Sequence, residues 1–202
     1  MKLFSKREAI GFGWTTVMGN LGLALVAMFI VVLINVFPVY TESVVVGFVS
    51  AIFTMVVALG VMRMALRFVD GDRGELADLF AQIPLIIPYF VASIVVGIIT
   101  TVGFMLLIIP GIYWALRFQF FGWVIVDKEV GPLEAMQESW EITRGSALNL
   151  FLFAVLLLAV NVLGACALVI GLLVTVPLSV VAMGYVYRTL ERTEEEEEEA
   201  YP

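Results

Sequence analysis

The sequence predicts an all-α fold: a polytopic membrane helix bundle of six transmembrane helices in three hairpins, with short cytoplasmic interfacial helices. Three observations predict it. Hydrophobic residues make up 62% of the 202 positions and charged residues 14%, with a mean hydropathy of +1.06. A soluble domain averages about 45–50% apolar and about 25% charged residues. Long apolar runs recur along the chain, each near the roughly 20 helical residues that cross about 30 Å of hydrocarbon. Finally, Glu8-Ala9, Trp14, Gly19 and Asn35-Val36 recur at a constant offset as Glu134-Ala135, Trp140, Gly145 and Asn161-Val162, which signals an internal repeat.

The spans are predicted at 17–36, 44–67, 85–107, 111–127, 146–163 and 168–188, within a single membrane domain over 1–190. The first follows Lys2, Lys6 and Arg7, as a signal peptide would. It is too long for a signal peptide's apolar region and lacks a small-x-small cleavage site, so a retained helix is expected. The second and third open near Ser43 and Pro84. The stretch 147–187 is one apolar run, and the echo decides where it turns: Phe37-Pro38-Val39-Tyr40 corresponds to Leu163-Gly164-Ala165-Cys166, so the last hairpin is predicted to turn there.

Basic residues give the expected orientation. The loops at 37–43, 108–110 and 164–167 contain no Lys or Arg. The basic residues Lys2, Lys6, Arg7, Arg63, Arg67, Arg73, Lys128, Arg144, Arg188 and Arg192 fall on the other side. The positive-inside rule then places both termini in the cytoplasm and the protein in the cytoplasmic membrane, with Arg117 as the exception. The net charge of −7 owes six acids to Glu194–Glu199, and residues 191–202 are expected to form a disordered acidic cytoplasmic tail.

Cytoplasmic connections carry their own pattern. Gly131-Pro132-Leu133-Glu134 reads as a helix start, with Pro at the first helical position and an acid in the first turn. Leu133, Met136, Trp140 and Thr143 then form one face of a helix ending at Gly145. Ile10, Trp14, Val17 and Leu21 predict a similar stripe, and Glu75–Gln82 a third interfacial helix. Trp14 and Trp140 are the expected interfacial anchors.

Few residues point to chemistry. Arg117 lies about 9 Å of helix rise inside the predicted outer boundary, where a cation needs water or a partner. Asn35, Glu42, Gln119 and Asn161 are predicted toward the same half, which makes two readings open: a structural arginine that snorkels or caps carbonyls, or a ligand or anion site in an outer polar vestibule. Asn35 and Asn161 read as caps or interhelical donors. Ser43, Gly47 and Ala51, like Ser93, Gly97 and Thr101, are small residues spaced for close helix packing. Asp70, Asp72, Asp127 and Glu129 are expected as solvated turn residues.

Absences exclude more. The chain has no histidine and one cysteine, Cys166, so histidine acid–base catalysis, an intramolecular disulfide and multi-cysteine metal sites are excluded. No Gly-rich phosphate loop and no pair of carboxylates inside a span is present. No cofactor or metal is expected.

Ile109-Pro110-Gly111-Ile112-Tyr113, Arg117-Phe118, Val126-Asp127, Gly131-Pro132-Leu133-Glu134-Ala135, Ser139-Trp140 and Thr143-Arg144-Gly145 form a recognisable pattern. It resembles uncharacterised six-helix prokaryotic integral membrane proteins related to the membrane domain of glycerophosphodiester phosphodiesterases. The resemblance implies a membrane domain of poorly defined role. It does not imply phosphodiesterase activity, because in those enzymes a separate barrel supplies catalysis through histidines and metal-binding carboxylates.

The expected function is therefore a non-enzymatic multi-pass membrane protein that binds or organises lipid or partner proteins. Membrane lipids and other membrane proteins are the expected partners, and nucleic acid is not. The alternative is a small-solute or lipid transporter or channel that uses Arg117.

Overall fold

A computed structural model describes residues 4–41, 43–167 and 171–200. They form an all-α bundle with no strand among them. Among the described residues, five helices are long and apolar enough to cross a bilayer, or six if the first two count as one bent span. The protein is a multi-pass membrane bundle.

Helix α1 (Lys6–Gly19) starts at Ser5, whose hydroxyl accepts the Glu8 N–H at 3.3 Å. It stops at Asn20, where the chain bends by 94° into α2 (Leu21–Thr41). The predicted first span at 17–36 therefore begins at Leu21, and residues before it belong to a separate helix. The predicted stripe of Ile10, Trp14, Val17 and Leu21 is also displaced. Ala9, Gly13 and Val17 face inward, while Trp14 and Leu21 are exposed. Small residues win because they let α1 approach the last helix closely: a Cβ on Gly13 would lie 2.7 Å from the Leu178 carbonyl oxygen.

Helix α2 continues past the expected turn at 37–40, carrying Pro38, and Ser43 caps α3 (Val44–Val69). Lys2 and Glu42 lie outside the described residues. The third interfacial helix expected over 75–82 shrinks to a single turn, α4 (Asp78–Ala81), followed by a 3-10 turn at Ile83–Leu85. Its anchor is Leu79, fully buried against Gly60, where any side chain would collide with the Leu79 backbone at 2.3 Å. Asp78 fixes the turn by accepting the Glu75 N–H and binding Arg67.

Helix α5 (Ile86–Leu106) carries exposed apolar side chains along its length, among them Ile87, Phe90, Ile94, Ile98 and Val102, as a lipid-facing helix must. A single extended residue, Leu107, joins it to α6 (Ile108–Phe118), so the span begins before the predicted residue 111. Gly103 permits this tight hairpin: its Cβ would lie 2.9 Å from the Gly111 Cα. The span predicted over 111–127 is found as one apolar span, Ile108–Lys128, within which the helical pattern lapses at Gln119 and Phe120 and resumes as α7 (Phe121–Lys128). Gly122 through Val126 are all buried, which makes α7 the centre of the bundle.

Helix α8 (Pro132–Ile142) starts where predicted, with Ala135, Met136, Ser139 and Ile142 inward and Leu133 exposed. Helix α9 (Ala147–Cys166) runs through the predicted turn at 163–166 and ends at Ala167. Helix α10 (Leu172–Ala200) is packed close to it: a Cβ on Gly171 would lie 2.4 Å from the Gly164 carbonyl oxygen. The acidic run expected to be disordered from 191 continues α10 as helix to Ala200. Glutamate is a good helix former, and extending an existing helix avoids the cost of nucleation.

Candidate functional site

The break between α6 and α7 is held by α8. At the interruption, the Arg117 carbonyl accepts from the Ser139 hydroxyl at 2.9 Å, and that hydroxyl oxygen accepts the Phe120 N–H at 3.2 Å. The Thr143 hydroxyl lies 3.2 Å from the same carbonyl and 2.7 Å from the Ser139 carbonyl. Ser139 and Thr143 are fully buried. Two hydroxyls one turn apart on α8 thus replace backbone partners lost at the break, as buried polar groups require.

Arg117 is seated beneath α8. Its guanidinium lies 4.3 Å from the centre of the Trp140 ring and 5.9 Å from that of Tyr113, and the residue is 3% exposed. Trp140 also meets Phe118, with ring centroids 5.3 Å apart. Trp14, its counterpart in the echo, is 50% exposed.

The expected vestibule does not assemble through contacts. Asn161 donates to the Leu157 carbonyl at 2.9 Å and to the Ser179 hydroxyl oxygen at 2.8 Å, joining α9 to α10. Asn35 donates to the Val31 carbonyl at 2.8 Å within its own helix. Neither hydrogen-bonds to Arg117 or Gln119. Both asparagines donate to the carbonyl four residues back, as Asn20 does to the Thr16 carbonyl.

A charged cluster that sequence reasoning missed closes one end of the bundle. Arg188 of α10 binds Asp70 with Nε and Nη2 at 2.9 and 2.8 Å, and Glu191 with Nη1 at 2.8 Å. Its Nη2 also reaches Asp127 at 2.7 Å. The Tyr187 hydroxyl donates to Asp127 at 3.0 Å. Lys128 bridges Glu138 of α8 and Glu191 of α10. Asp70 and Asp127 are therefore ion-pair partners rather than the solvated turn residues expected, because α3, α7 and α10 converge at the level of Arg188. Burial pushes the Glu138 carboxyl above its usual range, with Lys128 opposing and Glu191 and Asp127 reinforcing the shift. The only sequence signal was Arg188-x-x-Glu191, an i,i+3 pair.

Between α8 and the acidic part of α10 lies a cleft of 420 Å³, lined by Lys128, Glu134, Glu138, Glu141, Glu191 and Glu195 among others. Among the described residues no three His, Cys, Asp or Glu side chains are grouped to hold a metal ion.

A second cavity, 260 Å³, is an apolar groove at the α1–α2 bend. Asn20, Ala27, Val31, Asn35, Val57 and Pro177 contribute to its walls, which come from α1, α2, α3 and α10. Leu21, Leu25 and Phe29 of α2 are exposed. The site can accept a hydrocarbon chain and offers almost nothing to a polar solute. No protein-family model, curated protein or solved structure matches the chain.

Proposed function

We propose that the protein is a non-enzymatic, multi-pass protein of the cytoplasmic membrane that binds and organises lipid, holding an acyl chain in the groove at the α1–α2 bend. The groove carries this reading. It is almost wholly apolar, and it lies in a bundle that carries many exposed apolar side chains. The medium beside such a surface is hydrocarbon, so a lipid chain is the occupant available at the highest concentration.

Both termini are cytoplasmic in this reading. The clustering of Arg67, Lys128 and Arg188 at the end where α3, α7 and α10 meet supports it, as does the packing of Arg117 against α8. A transport role for Arg117 would draw on polar groups converging around it, and Asn35 and Asn161 are bonded elsewhere.

The test uses full-length protein in nanodiscs made with phosphatidylcholine that carries a diazirine on one acyl chain. Crosslinks are expected to concentrate on Ala24, Val31 and Val57, and to fall when Ala27→Phe fills the groove. Labelling spread evenly over the lipid-facing side chains, Ile94 of α5 included, would sink the reading.

A further inference from the structure

The helix break under α8 leaves donors without acceptors. Arg117 is 97% buried by its 3% exposure, yet its Nε has no hydrogen-bond partner, and Gln119 leaves its Nε2 in the same state two residues on. Among the described residues, no carboxylate pairs with this guanidinium. The Trp140 ring stabilises the charge through the face of the guanidinium. It does not touch the need of the N–H groups, which point outward in the plane. Arg144, just beyond α8 and one residue past Thr143, is exposed. Meanwhile the Arg117 carbonyl is occupied by Ser139 and Thr143.

We infer that this break is a binding site for a phosphate oxyanion, supplied by the headgroup of an anionic phospholipid. Arg117 is the in-plane donor, Gln119 the neutral donor, and Arg144 the outer cation. An oxyanion approaching the edge of the guanidinium satisfies the orphan N–H groups while Trp140 keeps its stack. The lipid source follows from the surroundings: Ile109 and Tyr113 of α6 are exposed apolar surface, which delivers a headgroup together with its chains. This inference rests on the lipid-binding reading and names the headgroup chemistry.

Full-length protein in detergent, titrated separately with phosphatidylglycerol, phosphatidylcholine and inorganic phosphate, is read by native mass spectrometry of retained adducts. Phosphatidylglycerol is expected to bind in preference to phosphatidylcholine. Arg117→Gln and Gln119→Leu should each weaken it by about tenfold, the effect of losing a hydrogen bond to a charged group. Should Arg117→Gln fail to fold, Gln119→Leu and Arg144→Gln decide. Competition by millimolar phosphate would assign the oxyanion site to free phosphate and overturn the lipid source. Wild-type affinity in both Gln119→Leu and Arg144→Gln, or no preference for phosphatidylglycerol, overturns the site. Diazirine crosslinking in the groove is read separately from these adducts, so failure of the headgroup site is told apart from failure of the lipid-binding reading.

Discussion

Arg188 and Asp127 meet across α10 and α7 through a pair of hydrogen bonds, and the same guanidinium grips Asp70 at the end of α3. The Arg188 side chain is 18% exposed and that of Asp127 10%, so the pair is shielded from water. Removing one partner of such a pair strands charge rather than merely losing a contact. Arg188→Ala would leave Asp70, Asp127 and Glu191 facing one another, at a cost of about 3–5 kcal/mol. Arg67→Ala strands a single carboxylate, Asp78, 7% exposed beside an arginine that is 36% exposed, and Asp78 keeps the Glu75 N–H, so the cost should be smaller, about 1–3 kcal/mol. Thermal unfolding of both variants in one detergent compares them. Equal effects would show that the Arg188 cluster is solvated.

Glu138 gives the cluster a pH dependence of defined sign. Burial is the largest cause of its raised pKa, so the folded protein holds this proton more tightly than the unfolded chain. The unfolded carboxyl titrates near pH 4.3. Its stabilising contribution is complete below that value and is lost as pH rises through the raised folded pKa. Glu138→Gln removes this dependence. The variant is therefore expected to improve relative to wild type between pH 4 and pH 7, and unfolding temperatures for both proteins across that range measure the change. A difference that stays constant with pH would contradict the assignment.

Glycine spacing on α1 predicts a sharp contrast between neighbouring positions. A Cβ on Gly13 meets the Leu178 carbonyl oxygen at 2.7 Å, whereas one on Gly11 meets nothing within 4 Å. Gly13→Ala should push α1 off α10 and cost about 1–3 kcal/mol through overpacking. Gly11→Ala should be neutral or stabilise by up to about 1 kcal/mol, because alanine loses less backbone entropy in a helix. Protease cleavage near Asn20 offers a direct measure of α1 release. Similar cleavage in both variants would remove the argument for close α1–α10 packing.

The legible parts of this fold are those written in hydropathy and in local caps. Helices α3 and α5 fall within two residues of the predicted 44–67 and 85–107, and Pro132 opens α8 as its chemistry requires. The break at Gln119 was hidden because neither residue in the gap is Gly or Pro, and the hydroxyls that sustain it lie some twenty residues away at Ser139 and Thr143. Hydropathy also misplaced the working face of α1, where Ala9 and Gly13 matter for being small rather than apolar. Arg117 was recognisable as an intramembrane cation with Tyr113 one turn away, but its partners across the bundle were not. They come from α8, which packs against the break, while Asn161 turns to Ser179. The acids of the charged end could be read only as turn residues until α3, α7 and α10 were brought together.

Ser139 provides the sharpest test of the interrupted span. Its single hydroxyl accepts from the Phe120 N–H and donates to the Arg117 carbonyl, and the residue is fully buried. Ser139→Ala leaves the Phe120 N–H unpaired, while Thr143 retains contact with the carbonyl. A buried unsatisfied donor costs about 1–3 kcal/mol, and the double variant Ser139→Ala with Thr143→Val should exceed the sum of the single changes because both hydroxyls serve one carbonyl. Thr189→Ala is the control: its hydroxyl donates to the Tyr185 carbonyl within the same helix, so little should change. Hydrogen exchange at the Phe120 amide separates this account from a general loss of stability. It should accelerate in Ser139→Ala more than exchange in α5 does, and uniform acceleration across both helices would mean that the hydroxyl does not hold the break.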